Sequence, residues 1–130
     1  IEKYVMTVNV ESPSVENNKE LAEVIADLMA ASDLSREISE GIIADFCRQG
    51  IGLMSAIQKK LNEKNLKEAG TILHKLKGSA GNVRAKKIEQ HAKEAEQALK
   101  VIDLEKLTTL LAEIDVLLHR LTVKKSSTLS

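Results

Sequence analysis

The sequence predicts an all-α fold, an antiparallel four-helix up-and-down bundle with an additional short N-terminal helix. Three observations lead there. Successive stretches carry apolar residues at three- and four-residue spacing, the period of one helix face. Tyr4 and Phe46 are the only aromatic residues, so the core must be built from Leu, Ile, Val, Ala and Met, as in a helical bundle. The connections between the periodic stretches are short, which makes consecutive helices antiparallel neighbours.

Residues 1–18 read as a linker-like segment, loosely alternating through Val5, Val8 and Val10 before Glu11-Ser12-Pro13-Ser14. The bundle is assigned to residues 19–123. Its first short helix runs from Lys19 to Ala30 behind Asn17-Asn18, carrying Leu21, Val24, Ile25, Leu28 and Met29, and Ser32-Asp33 interrupts it. A long helix follows from about Ser35 to Asn62. Ile38, Ile42, Phe46, Leu53, Ala56, Ile57 and Leu61 make its broad stripe, and Gly50 and Gly52 weaken its middle. Asn65, with Glu68 three residues on, forms a capping pair that starts the next helix near Leu66 and carries it to about Arg84. After a basic junction, Ile88, Ala92, Ala95 and Leu99 mark a fourth helix. Asp103 caps a last one bearing Leu104, Leu107, Leu111, Ile114, Leu118 and Leu121. Residues 124–130 read as a frayed polar tail.

The helix from Leu66 carries the pattern that calls for chemistry. Gly70, His74, Gly78 and Gly81 share one row, because positions four before, four after and seven after a residue stack along a helix. Each helical glycine costs about 0.8–1 kcal/mol relative to alanine, so some benefit should compensate. The apolar stripe of Leu66, Ala69, Ile72, Leu73, Leu76, Ala80 and Val83 is centred roughly 130° around the helix from His74, which turns the imidazole toward solvent. Lys75, Lys77, Arg84, Lys86 and Lys87 follow with no acidic residue among them, a surrounding suited to an anionic adduct or partner. A bare histidine beside glycine and lysine is what a surface phosphorylation site needs. The bland alternative, glycines that merely let another helix pack closely, stays open at this point.

Composition narrows the function classes. Nineteen basic and nineteen acidic side chains balance, and no aromatic platform exists for bases, which argues against nucleic-acid binding. Cys47 is the sole cysteine, so neither an internal disulfide nor a multi-thiolate zinc site is expected, and a reducing cytoplasm is the simplest location. No apolar run approaches the roughly 20 residues of a membrane span, and no membrane contact is expected. His91 and His119 flank the apolar faces of their helices and lack a second imidazole at ligating spacing, so they read as structural and no metal site is expected. Glu89, Glu94 and Glu96 read as solvated surface, and no general acid or base is assigned. Ser79 lies roughly 140° from His74 and reads as a packing residue.

The run His74-Lys75-Leu76-Lys77-Gly78-Ser79-Ala80-Gly81-Asn82 resembles the His-x-Leu-Lys-Gly-Ser/Ala signature of histidine-containing phosphotransfer (HPt) domains. With Phe46 and Asn65 at fitting positions, the resemblance covers roughly residues 35 to 100. It implies that His74 is the phosphorylated residue, that Lys77 helps neutralise the phosphoryl group and that Gly78 leaves space for a partner. That partner would be a response-regulator receiver domain, which donates from an aspartyl phosphate to His74 Nε2 and itself supplies Mg²⁺. The domain would bind no cofactor of its own and act as a monomer. Lys67, Gly70, Thr71, Lys75, Gly81 and Arg84, which surround the histidine or extend the basic run, are the expected partner surface. The chain departs from the family pattern at Leu73, where alanine is frequent, and at Arg84, where glycine is frequent; Arg84 is read as altering the rim of the partner surface. A start at Ile1 fits a piece of a longer polypeptide such as a hybrid sensor kinase. Two rivals remain. A histidine-kinase dimerisation domain usually has an acidic residue where Lys75 stands and works with an ATP-binding domain. A helical scaffold without chemistry would not need His74.

Overall fold

The computed structural model describes residues 18–122; the segment through residue 17 and the tail from residue 123, read above as linker and frayed end, lie outside the described residues. Five helices follow one another: α1 (Lys19–Ser32), α2 (Arg36–Asn62), α3 (Leu66–Asn82), α4 (Lys86–Lys100) and α5 (Leu104–Leu121), and no strand occurs among the described residues.

Four of the helices start where a side-chain oxygen satisfies a backbone donor of the first turn. Asn18, Ser35, Asn65 and Asp103 accept from the N–H groups of Leu21, Ile38, Glu68 and Lys106 at 3.1–3.2 Å. Ala85, which precedes α4, is buried and offers no such oxygen. The turns inside the bundle repeat a single solution at their other side. Lys64, Arg84 and Ile102 stand in the left-handed region at φ 61°, 67° and 55°. Each donates to the carbonyl three residues back, and the next residue donates five back, as Arg84 does to Gly81 and Ala85 to Ala80. This Schellman arrangement closes a helix and reverses the chain within three residues. It ends α3 at Asn82, so Arg84 belongs to the turn and not to the helix that the periodicity extended to it. Glycine adopts the left-handed conformation without penalty, whereas Arg84 holds it at a cost.

α2 packs on α3, α3 on α4, α4 on α5, and α5 returns to α2, closing an antiparallel ring. Ile43, Phe46, Ile57, Leu73, Leu76, Ile88, Leu107, Ile114 and Leu118 fill its centre. α2 passes through Gly50 and Gly52 without a break. Gly50 has a packing reason, since a Cβ there would stand 2.8 Å from Leu118 Cδ2 of α5, whereas one at Gly52 would meet nothing. α1 buries Leu21, Val24, Ile25 and Leu28 and packs on α2 and α5 at the end of the bundle where α4 begins. Its acidic side chains meet the basic junction there. Asp27 pairs with Lys86 at 3.3 Å, and Glu20 with Lys87 at 3.6 Å and Arg120 at 3.2 Å. Two of the cations expected to welcome an anionic partner are thus taken by α1.

Candidate functional site

α3 turns Ala69, Leu73, Leu76 and Ala80 inward and leaves His74 on the outside in mid-helix, its side chain 70 % exposed. The imidazole is nevertheless held. His74 Nδ1–H donates to Glu96 Oε2 at 2.8 Å, and the other oxygen of that carboxylate lies 2.8 Å from Lys77 Nζ. Glu96 reaches them from α4 and is only 18 % exposed. Partial burial by itself would raise the Glu96 carboxyl, but the hydrogen bonds and charges of Lys77 and His74 outweigh it and hold the group below the usual carboxylate range. Glu96 is therefore an anion at neutral pH.

This geometry distinguishes the two ring nitrogens. A carboxylate only accepts, so Nδ1 carries the proton, and in the neutral ring Nε2 keeps its lone pair. Nε2 lies on the opposite edge, without a hydrogen-bond partner among the described residues. An oriented imidazole with a free, outward lone pair is a nucleophile ready for an external electrophile. His91 and His119 differ. Their Nδ1–H groups return to the carbonyls of Lys87 and Asp115 one turn back on their own helices, and His91 Nε2 also meets Glu113 at 3.0 Å.

The residues expected around His74 divide into three groups. Lys67, Gly70 and Thr71 line one shallow groove with His74, whose opposite wall is Glu96, Leu99 and Lys100 of α4. Lys77 and Gly78 adjoin the imidazole, and a Cβ at Gly78 would meet nothing within 4 Å. Lys75 is exposed on the α2 side of the histidine row. Gly81 is not open surface: a Cβ there would come within 2.9 Å of a Glu89 carboxylate oxygen. Gly70 likewise faces α4, with Leu99 Cδ2 at 3.4 Å from such a Cβ. The glycine row thus meets side chains of α4 at Gly70 and Gly81 and lies open at Gly78. Arg84 lies at the far end of the bundle, in a depression it shares with Glu20, Glu23 and Asp27 of α1, away from His74. Ser79 lies in a second groove on the α2 side, with Phe46 and Gln49.

Glu96 is the residue that reading the sequence missed, having been grouped with Glu89 and Glu94 as solvated surface. A signal for it exists. α3 and α4 form an antiparallel hairpin about Ala85, so residues equally distant from Ala85 face each other, as Gly81 does Glu89 and His74 does Glu96. Pairing the two helices about Ala85 would have been enough to find it.

A family model described as Hpt domain matches residues 41–122. No curated protein and no solved structure matches the chain. The matched stretch takes in all of α3, α4 and α5 and most of α2, hence every helix that builds the histidine site. The chain belongs to the Hpt domain family, the histidine phosphotransfer domains of two-component phosphorelays.

Proposed function

We propose that His74 is the phosphoryl carrier: it accepts the group from the aspartyl phosphate of a receiver domain and passes it to a receiver of a response regulator. The observation that carries this reading is the bond between His74 Nδ1–H and Glu96 beside an unobstructed Nε2. In the forward step the Nε2 lone pair attacks phosphorus in line, the N–P bond forms, and the bond from phosphorus to the acyl oxygen breaks, returning the aspartate as a free carboxylate. The ring, still protonated at Nδ1, becomes cationic as Nε2 bonds to phosphorus. Glu96 stands against that developing charge, and Lys77 is placed to meet the phosphoryl oxygens. Transfer onward reverses each bond change.

No group of three or more His, Cys, Asp or Glu side chains that would hold a metal occurs among the described residues. In this reading Mg²⁺ is held by the receiver's carboxylates and neutralises the phosphoryl group in transit. Gly78 contributes space. Its lack of a side chain costs helix stability, and no neighbour among the described residues benefits from it. Lys67, Thr71 and Lys75 form the near part of the docking surface.

The test is incubation with a phosphorylated receiver domain and Mg²⁺, following acid-labile, base-stable label on the wild type and on His74→Gln. Label confined to the wild type supports the reading. Absence of label on the folded wild type with several receivers would leave a non-catalytic interaction bundle as the function.

A further inference from the structure

Three of the most exposed large apolar side chains of the described residues stand together at the α4–α5 turn. Val101 is 73 % exposed, Ile102 60 % and Leu104 50 %. Ile102 also closes the far end of the α3–α4 groove that begins at His74. The floor of that groove is apolar, through Leu66 and Leu99, and its rim carries Lys67 on one side and Lys100 on the other. Among the described residues the only carboxylate lining it is Glu96, already engaged by His74 and Lys77. Exposed apolar groups gathered in one place mark an interaction site more often than scattered ones do.

Resting on the phosphoryl transfer proposed above, we infer that this groove and the Val101-Ile102-Leu104 turn are a specificity surface for the receiver domain, which seats there an apolar side chain flanked by acidic residues. Two features select that occupant. The groove is continuous with the transfer site: Leu66 lies eight residues before His74, about 12 Å along the helix axis. Even a transient complex buries about 600 Å² per partner, a patch on the order of 25 Å across, so a receiver centred on His74 Nε2 reaches the turn. The charge also fits. The receiver's phosphoaspartate site is acidic, and lysines frame the surface that would lie beside it. Apolar contact would supply affinity and the lysines orientation.

The test compares the wild type with a combined Val101→Ser, Ile102→Asn, Leu104→Glu variant, using a phosphorylated receiver that labels the wild type. The variant keeps its helix ends, because asparagine accepts the left-handed conformation and glutamate suits a first helical turn. Thermal unfolding verifies this. The small donor phosphoramidate, which needs no docking surface, should label His74 equally in both proteins. Transfer from the receiver should show a KM raised about tenfold, with kcat little changed, as expected when a few buried apolar contacts away from the reacting atoms are lost. An unchanged KM overturns the inference and leaves the transfer reading standing. A wild type that sediments as a dimer while the variant is monomeric also overturns it, assigning the patch to a second copy. Failure of the wild type to take label from receivers and phosphoramidate alike would instead overturn the transfer reading.

Discussion

Replacing Glu96 by alanine removes the acceptor for His74 Nδ1–H and releases Lys77 in one step. The ring then exchanges between tautomers, and its productive form loses an orienting partner; the partners that orient metal-bound histidines are worth about 10–100-fold in activity, and a comparable loss is expected here. Phosphoryl acceptance by Glu96→Ala should fall by that factor. Glu96→Gln should lie between it and the wild type, since an amide oxygen still accepts from Nδ1–H but balances no charge. Nitrogen chemical shifts of the ring, measured by NMR, should show the Nδ1–H form kept in the glutamine variant and mixed in the alanine variant. Both should lose on the order of 1 kcal/mol of stability, because Glu96 is largely covered while its partner His74 stands in solvent. A group held below its ordinary pKa stabilises the fold fully above the unfolded value, about 4.3 for glutamate, and the benefit goes as pH falls through the folded value. Glu96 therefore adds no pH dependence near neutrality. Gly78 gives a second prediction: Gly78→Ala should gain about 0.8–1 kcal/mol in chemical denaturation, for its Cβ meets nothing, while Gly78→Leu should block labelling by a receiver and leave phosphoramidate labelling intact. Receiver transfer at the wild-type rate in Gly78→Leu would defeat the clearance argument.

The helices themselves were largely legible. Ser35, Asn65 and Asp103 announce helix starts through chemistry that acts within three residues, and aliphatic spacing shows the buried faces. What escaped depends on pairing between helices. Gly50 and Gly52 look alike in the sequence, yet Leu118 of α5 closes on one and not the other. Substituting alanine should therefore have opposite effects: Gly52→Ala should stabilise by about 0.8–1 kcal/mol, whereas Gly50→Ala forces the buried Leu118 to move and should cost about 1 kcal/mol. Equal shifts in denaturation midpoint would contradict the packing described. Arg84 escaped for a different reason. Its spacing continues a helical pattern, and only the left-handed φ of 67° reveals a turn. Arg84→Gly should raise stability by about 1 kcal/mol without altering transfer at His74, which lies nearly three helical turns away.

Across the whole molecule, charge has two distinct uses. The site around His74 shares one carboxylate between an imidazole and a lysine, while the α3–α4 junction spends Lys86 and Lys87 on holding α1. The sequence displayed a single basic run from Lys75 to Lys87, and only the arrangement of helices separates these uses. Glu20 is held below the usual carboxylate range, first by a hydrogen bond from the backbone and then by Lys87 and Arg120 against partial burial. Its ties persist above the ordinary glutamate value and vanish as pH falls through the lower folded one. In mild acid, hydrogen exchange should therefore show the amides of α1 losing protection before those of α2 to α5, and added salt should move the onset toward neutrality. Simultaneous loss in all five helices would mean that the buried Leu21, Val24, Ile25 and Leu28 hold α1 unaided. The exposure of His74 bears finally on time. A phosphoryl group on Nε2 would stand in open water except while a partner covers it, since no described segment folds over the imidazole. How long the signal survives is then decided by the hydrolysis of the N–P bond and by the wait for the next receiver, and the bundle keeps no clock of its own.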